Sequence, residues 1–245
     1  MIITQSLIIE SILGQALKKP EIPVAGTIAG QHMVSVLQEA NMGMSSLLHG
    51  LVAPGRPFID GSAASTHSMA EDIKLQNTSS ACWGLAAVNS LLNLGSPGPA
   101  TKVQNFINRI GEGKNVVIIG HFPFVEKLKH YFKNLWVLEL YPRTIDIHEN
   151  MKNEIIPRAD IVAITATTLL NDTLGEILNL AGKTAVKILL GPSTPLAPCL
   201  FDMGIDYLGG TIVHDHQKAV AGIRSGLPFR KMSGTRTFLM GKNKA

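Results

Sequence analysis

After residue 97 the chain alternates, at a nearly constant period, between short Val/Ile-rich runs and stretches with helical spacing. The apolar runs lie at 115–119, 135–140, 160–165, 185–190 and 205–208, with starts roughly 20–26 residues apart. The intervals, at about 124–133, 147–157, 169–181 and 196–203, carry helical patterns. Each run is apolar almost without a break, as suits a strand covered on both faces. Parallel strands need a crossover between them, and an interval long enough for a helix supplies one. The pattern predicts a Rossmann-like, parallel α/β sheet. A last helix over about 211–224 would carry His214, Asp215 and His216, and the segment 236–240 would add an edge strand.

The first hundred residues lack this rhythm. A helix over 3–17, weakly strand-like segments at 22–37 and 44–51, and helices at 68–76 and 79–93 give an α+β order. Between the two regions, Leu94-Gly-Ser-Pro-Gly-Pro-Ala100 holds two Pro and two Gly in seven residues. Two domains are expected: a smaller α+β domain over 1–96 and the α/β domain over 97–245. The apolar N-terminus has no early positive charge, and Gln5, Glu10 and Gln15 interrupt it, so it reads as a buried helix rather than a signal peptide. The longest later apolar run, about 159–170, is too short to span a bilayer. Cys82 and Cys199 are the only cysteines, too few for a disulfide framework or a zinc site of paired thiolates. Cys82, beside Trp83, reads as a packed core residue. A cytoplasmic protein is the simplest reading. With 22 basic and 18 acidic residues the net charge is only +4, no basic run reaches five, and aromatics are 5%. That argues against nucleic acid as a partner.

Ligands of an open parallel sheet bind beyond the carboxyl ends of its strands, so the polar residues there carry most weight. The first strand ends at Gly120-His-Phe-Pro-Phe124. A single glycine is not a dinucleotide fingerprint, and Pro123 removes an amide donor. His121 is placed to be a ligand, a base or a solvated loop residue. Glu139 ends the second strand, where a carboxylate could hold a ribose or converge with His121 on a metal. Asp146 either joins them or caps a helix containing His148 and Glu149. Thr165, Thr167 and Asn171 lie between a strand and a helix, and they fit helix capping and ligand binding equally. In Gly191-Pro-Ser-Thr-Pro195, Ser193 or Thr194 would cap a helix with Pro195 in its first turn, unless their hydroxyls face a ligand. Two histidines spaced as His214 and His216 cannot share a helix face, so Asp215 or one histidine would reach the crevice. Metalloprotease, P-loop and nucleophile-elbow motifs are all missing.

These segments resemble one family. Val117-Ile-Ile-Gly-His-Phe-Pro123, Leu138-Glu-Leu-Tyr-Pro142, Ile164-Thr-Ala-Thr-Thr-Leu-Leu-Asn171 and Leu190-Gly-Pro-Ser-Thr-Pro195 come in the order typical of DUF364, a family associated with heavy-metal chelation. Phe201-Asp-Met-Gly-Ile-Asp-Tyr-Leu-Gly-Gly210 and Asp215 fit the same pattern. Met42-Gly-Met-Ser45 and Gly84-Leu-Ala-Ala-Val-Asn89 look like the preceding domain of that family, which is similar to the enolase N-terminal domain. The sequence departs from the pattern at Ala166, where glycine is expected. The resemblance implies a polar cleft between an enolase-N-like and a Rossmann-like domain, and a role in binding or inserting heavy metals.

Three functions follow. In the first, His121, Glu139 and Asp146 bind a divalent transition metal, with His121, Glu139 or Asp215 accepting protons during insertion into a tetrapyrrole or other complex. In the second, a small-molecule enzyme holds a nucleotide-type ligand such as S-adenosylmethionine. Gly120, Pro123, Thr165, Thr167, Asn171, Gly191, Ser193 and Thr194 would then line its site. In the third, the protein is a non-catalytic carrier of a metal complex. The expected partners are a small molecule or metal complex and further copies of this chain, with no nucleic acid and no membrane.

Overall fold

A computed structural model describes residues 2–52, 65–97, 100–128, 130–143 and 145–242. Helix α1 (Gln5–Ala16) starts where the Thr4 hydroxyl accepts the Leu7 amide, and it buries Ile8, Ile9, Ile12 and Leu13. Strands β1 (Gly26–Ala29), β2 (Met33–Leu37) and β3 (Met42–Ser46) form a small antiparallel sheet in that order. Helices α2 (Thr66–Glu71) and α3 (Ser79–Leu92) follow, and α3 packs on β2 and β3. Alternation along β2 sends Val34 and Val36 into the cluster shared with α3, while Met33, with Met42 and Met44 of β3, joins a separate cluster on the other side.

Helix α4 (Val103–Gly111) leads into the large sheet. Its remaining elements are β4 (Asn115–Ile119), α5 (Val125–Leu128), β5 (Asn134–Glu139), β6 (Ile147–His148), α6 (Lys152–Ile155), β7 (Ile161–Thr165), α7 (Leu174–Leu180), β8 (Val186–Leu190), α8 (Cys199–Asp202), β9 (Tyr207–Val213), α9 (His216–Arg224) and β10 (Thr235–Gly241). In space the strands run β10-β9-β8-β7-β4-β5-β6, and all pairs are parallel except β10 on β9. Numbered from β4, that is the doubly wound order 3-2-1-4-5-6 with an antiparallel seventh strand. Direction reverses between β4 and β7, which opens a crevice past their carboxyl ends.

Both faces of this sheet are covered. Val116 and Ile118 pack with Ile107 of α4 and Val125 of α5, while Val117 faces the opposite cluster with Leu174 and Leu200. That opposite cluster also contains Ile8, Trp83, Leu85 and Cys82, so one continuous core joins the large sheet to α1 and α3. Helix α1 touches α7 and α8 as well as α3. Among the described residues no helix is long and apolar enough to cross a membrane.

The structure corrects several expectations. Helix α4 was not anticipated. Among the described residues of the interval 124–133 only the single turn of α5 is helical, and 147–157 begins as a short strand. Residues 211–213 belong to β9 instead of a helix, so His214 lies outside α9 and Asp215 caps it. Ser193 and Thr194 cap no helix: α8 begins at Cys199, and the Ser193 hydroxyl instead accepts the Ser46 amide at 2.8 Å.

Candidate functional site

At the reversal between β4 and β7 lies an open pocket of about 230 Å³. Its described lining falls within residues 119–177, all from the large-sheet region. Gly120 shapes its rim. At φ +94° the chain turns sharply out of β4, and a Cβ there would come within 2.9 Å of Thr165 Cγ2. Glycine thus lets the loops after β4 and β7 stay in contact.

His121 is held from two directions. Its backbone N–H donates to Glu139 Oε2 at 2.7 Å, and its ring Nδ1 lies 2.9 and 3.0 Å from the two oxygens of Asp146. The Asp146 side chain is fully buried and also accepts the Arg143 amide. Nδ1 therefore donates to a carboxylate, and a neutral ring keeps its lone pair on Nε2. Asp146 caps no helix, and its carboxylate bonds the His121 ring directly. His148, whose Nδ1 accepts the Asn150 amide, caps the following turn.

Glu139 lines the pocket, but its oxygens are committed to the main chain. Oε2 takes the His121 amide, and Oε1 takes those of Leu140 and Tyr141 at 2.8 and 3.4 Å. The carboxylate fastens the loop after β4 to the loop after β5.

Hydroxyls form the facing wall. Thr165 Oγ1 and Thr167 Oγ1 lie 3.0 Å apart, and Thr173 donates to Asn171 Oδ1 at 2.6 Å. This loop is braced by α1. The Gln5 side-chain amide donates to the Thr168 and Leu169 carbonyls, and its oxygen accepts the Gly175 amide. Ala166 is buried in the core and does not line the pocket. Lys152 supplies a cation, paired with Glu176 at 2.7 Å and near Glu149 at 3.8 Å. Ile119, Leu138, Ile156 and Ile177 give apolar surface.

Gly120, His121, Glu139, Thr165, Thr167 and Asn171 thus meet in one pocket, while Asp146 stands behind His121. Pro123, Gly191, Ser193, Thr194 and Asp215 do not line it. Ser193 and Thr194 are buried in the seam between α3, β3 and β9. Asp215 accepts the Lys218 amide and pairs with its ammonium at 2.8 Å, which holds the carboxyl below its ordinary range. The sequence reading missed Gln5 and Lys152; Gln5 had no local signal, because the loop carbonyls it holds lie more than 160 residues away.

A resident metal centre does not fit. Among the described residues no three His, Cys, Asp or Glu side chains converge. Glu139 and Asp146 already bond to main-chain amides and His121, and thiolates are not at hand. Burial raises the Cys82 thiol, and it pushes Cys199 up to about 11, helped by Asp202. At pH 8 only about a thousandth of Cys199 would be thiolate, so its alkylation should run roughly a hundredfold slower than that of a free cysteine. A stopped-flow thiol assay checks this, and labelling at the free-thiol rate would contradict it.

The fold and pocket define a doubly wound α/β protein with a histidine–carboxylate pair at its switch point. The sequence model of the DUF364 family, described as "Putative heavy-metal chelation", matches residues 103–239, and the chain belongs to that family. An uncharacterised protein of Methanocaldococcus jannaschii is 31% identical over 147 residues, a stretch covering 56% of each chain. The chain thus spans little more than half the length of that relative. A DUF364 protein of unknown function from Desulfitobacterium hafniense superposes with a TM-score of 0.82 at 24% identity, over 96% of this chain and 98% of its own. Another from Pyrococcus horikoshii gives 0.80 at 20% identity, over 96% and 99%. At these identities the likeness concerns the fold.

Proposed function

We propose that the protein takes up a heavy metal as a complex already formed with a small organic ligand. His121 Nε2 provides one donor to the metal, and the pocket wall holds the organic part. The observation that carries this is the His121–Asp146 pair: one oriented imidazole, backed by a buried carboxylate, facing hydroxyl and amide groups. A histidine so backed is the usual form of a metal ligand. A single donor gives little affinity for a bare ion, but it suffices to complete the coordination of a complex with an open position. A nucleotide-type ligand is less well served. Helix α5 is one turn long behind Pro123, and both Glu139 oxygens are occupied where a ribose would need one.

Calorimetry with nickel(II) tests this, comparing the aqua ion with nickel held by a tridentate organic chelator. The chelated metal should bind the more tightly, and His121→Ala should weaken that binding by tenfold or more. Tight binding of the aqua ion that survives His121→Ala would refute the reading, as would a clear preference for S-adenosylmethionine.

A further inference from the structure

The loop from Leu140 to Asp146, which carries the carboxylate behind His121, also presents bulky apolar side chains to solvent. Leu140, Tyr141 and Ile145 are 40, 60 and 41% exposed. Leu140 lines the pocket, so this surface continues the pocket outward. His49, in the segment after β3, lies against Tyr141 with ring centroids 4.2 Å apart. On the inner side, Phe122 lines the pocket and stacks on Phe124 at 5.2 Å.

Exposed apolar groups gathered beside a polar pocket mark a binding surface more often than isolated ones do. The described residues at both ends of this loop are hydrogen-bonded. Glu139 holds the Leu140 and Tyr141 amides at its start, and at its end Asp146 accepts the Arg143 amide while its own amide donates to the Arg143 carbonyl. Tyr141 is therefore presented on a backbone tied at both ends, and little ordering cost remains when a ligand settles on it. The pocket is open and holds about 230 Å³, so a chelated metal larger than that extends over this rim.

The geometry points to a flat, conjugated chelator as the organic part of the ligand, stacked on Tyr141 at the pocket mouth while His121 meets the metal. This rests on the metal-complex reading above and adds the class of chelator. A saturated aliphatic chelator would reach the same metal position but find no stacking partner. Aromatic stacking of ordinary strength would favour the conjugated ligand by about tenfold.

Three probes test it: the 1:1 complex of nickel(II) with 1,10-phenanthroline, the 1:1 complex with diethylenetriamine, and phenanthroline alone. The phenanthroline complex should bind about tenfold more tightly than the triamine complex. Tyr141→Ala should remove that margin, Tyr141→Phe should restore it, and neither should change the triamine affinity. If both complexes bind equally and both weaken with His121→Ala, the chelator class is wrong and the metal-complex reading stands. If metal-free phenanthroline binds as tightly as its complex and depends on Tyr141, the stacking surface stands and the metal-complex reading falls. If no probe binds, both fall.

Discussion

Asn93→Ala is expected to lower the free energy of unfolding by roughly 3–5 kcal/mol, and the melting temperature by about 10 °C. Asn93 stands at the end of α3, where its side chain reaches into the seam between the helix and the large sheet. Its Nδ2 donates to the Thr194 and Thr211 carbonyls at 3.0 and 3.1 Å, and its Oδ1 accepts the Leu196 amide at 2.7 Å. The residue is 4% exposed, and Thr194 is wholly buried. Removing the amide leaves two carbonyls and an N–H without partners in a closed space, which costs far more than the net value of three ordinary hydrogen bonds. The ligand pocket lies elsewhere, so affinity in folded protein should not change. Denaturant titration with a matched melt gives the number. A loss below about 1 kcal/mol would mean that water replaces the amide and that the seam is not dry.

That seam also shows where sequence reasoning ran short. Gly191-Pro-Ser-Thr-Pro195 looked like a helix start or a ligand loop because a hydroxyl before proline suits both. The local signal could not show that Asn89 and Asn93, about a hundred residues earlier, would reach the Ser193 and Thr194 carbonyls. The helix expected from residue 211 failed for a similar reason, because the strand before it runs on through Gly209 and Gly210. In the structure they lie inside β9, where a Cβ would come within 2.6 Å of Val103 on one side and 2.8 Å of Leu196 on the other. They mark close packing of layers, which only tertiary contact defines. By contrast, β4, β5, β7 and β8 were legible because burial on both faces writes an unbroken apolar run into the sequence. Helix α4 was missed although Val103, Phe106, Ile107 and Ile110 follow helical spacing, because they come directly after the Pro/Gly break. Of the site, His121, Glu139 and the threonines could be placed from strand ends alone. Their roles could not, because a carboxylate that binds a ligand and one that binds three amides look identical in sequence.

The role of Asp146 leads to the larger functional effect. Asp146→Asn should weaken binding of a chelated metal by about 10–100-fold while the fold persists. In the native protein both carboxylate oxygens face Nδ1 of His121, and one of them also accepts the Arg143 amide. Asparagine has a single acceptor oxygen. If that oxygen keeps the Arg143 amide, the new –NH₂ takes the place of the oxygen 2.9 Å from Nδ1 and favours the tautomer in which Nδ1 accepts. The ring proton moves to Nε2, and the lone pair needed by the metal is lost from the pocket side. If instead the oxygen turns to His121, the Arg143 amide meets a donor and the Leu140–Asp146 loop loses one of its two closing bonds. Nitrogen NMR of the His121 ring separates the two outcomes, because the tautomers have distinct shifts. Glu139→Gln should behave differently, since it too loses an acceptor but leaves Nδ1 facing Asp146, so its binding loss comes from loop displacement with the tautomer unchanged. An Asp146→Asn protein that binds chelated nickel as well as the wild type, with the ring proton still on Nδ1, would remove His121 Nε2 from the proposed coordination.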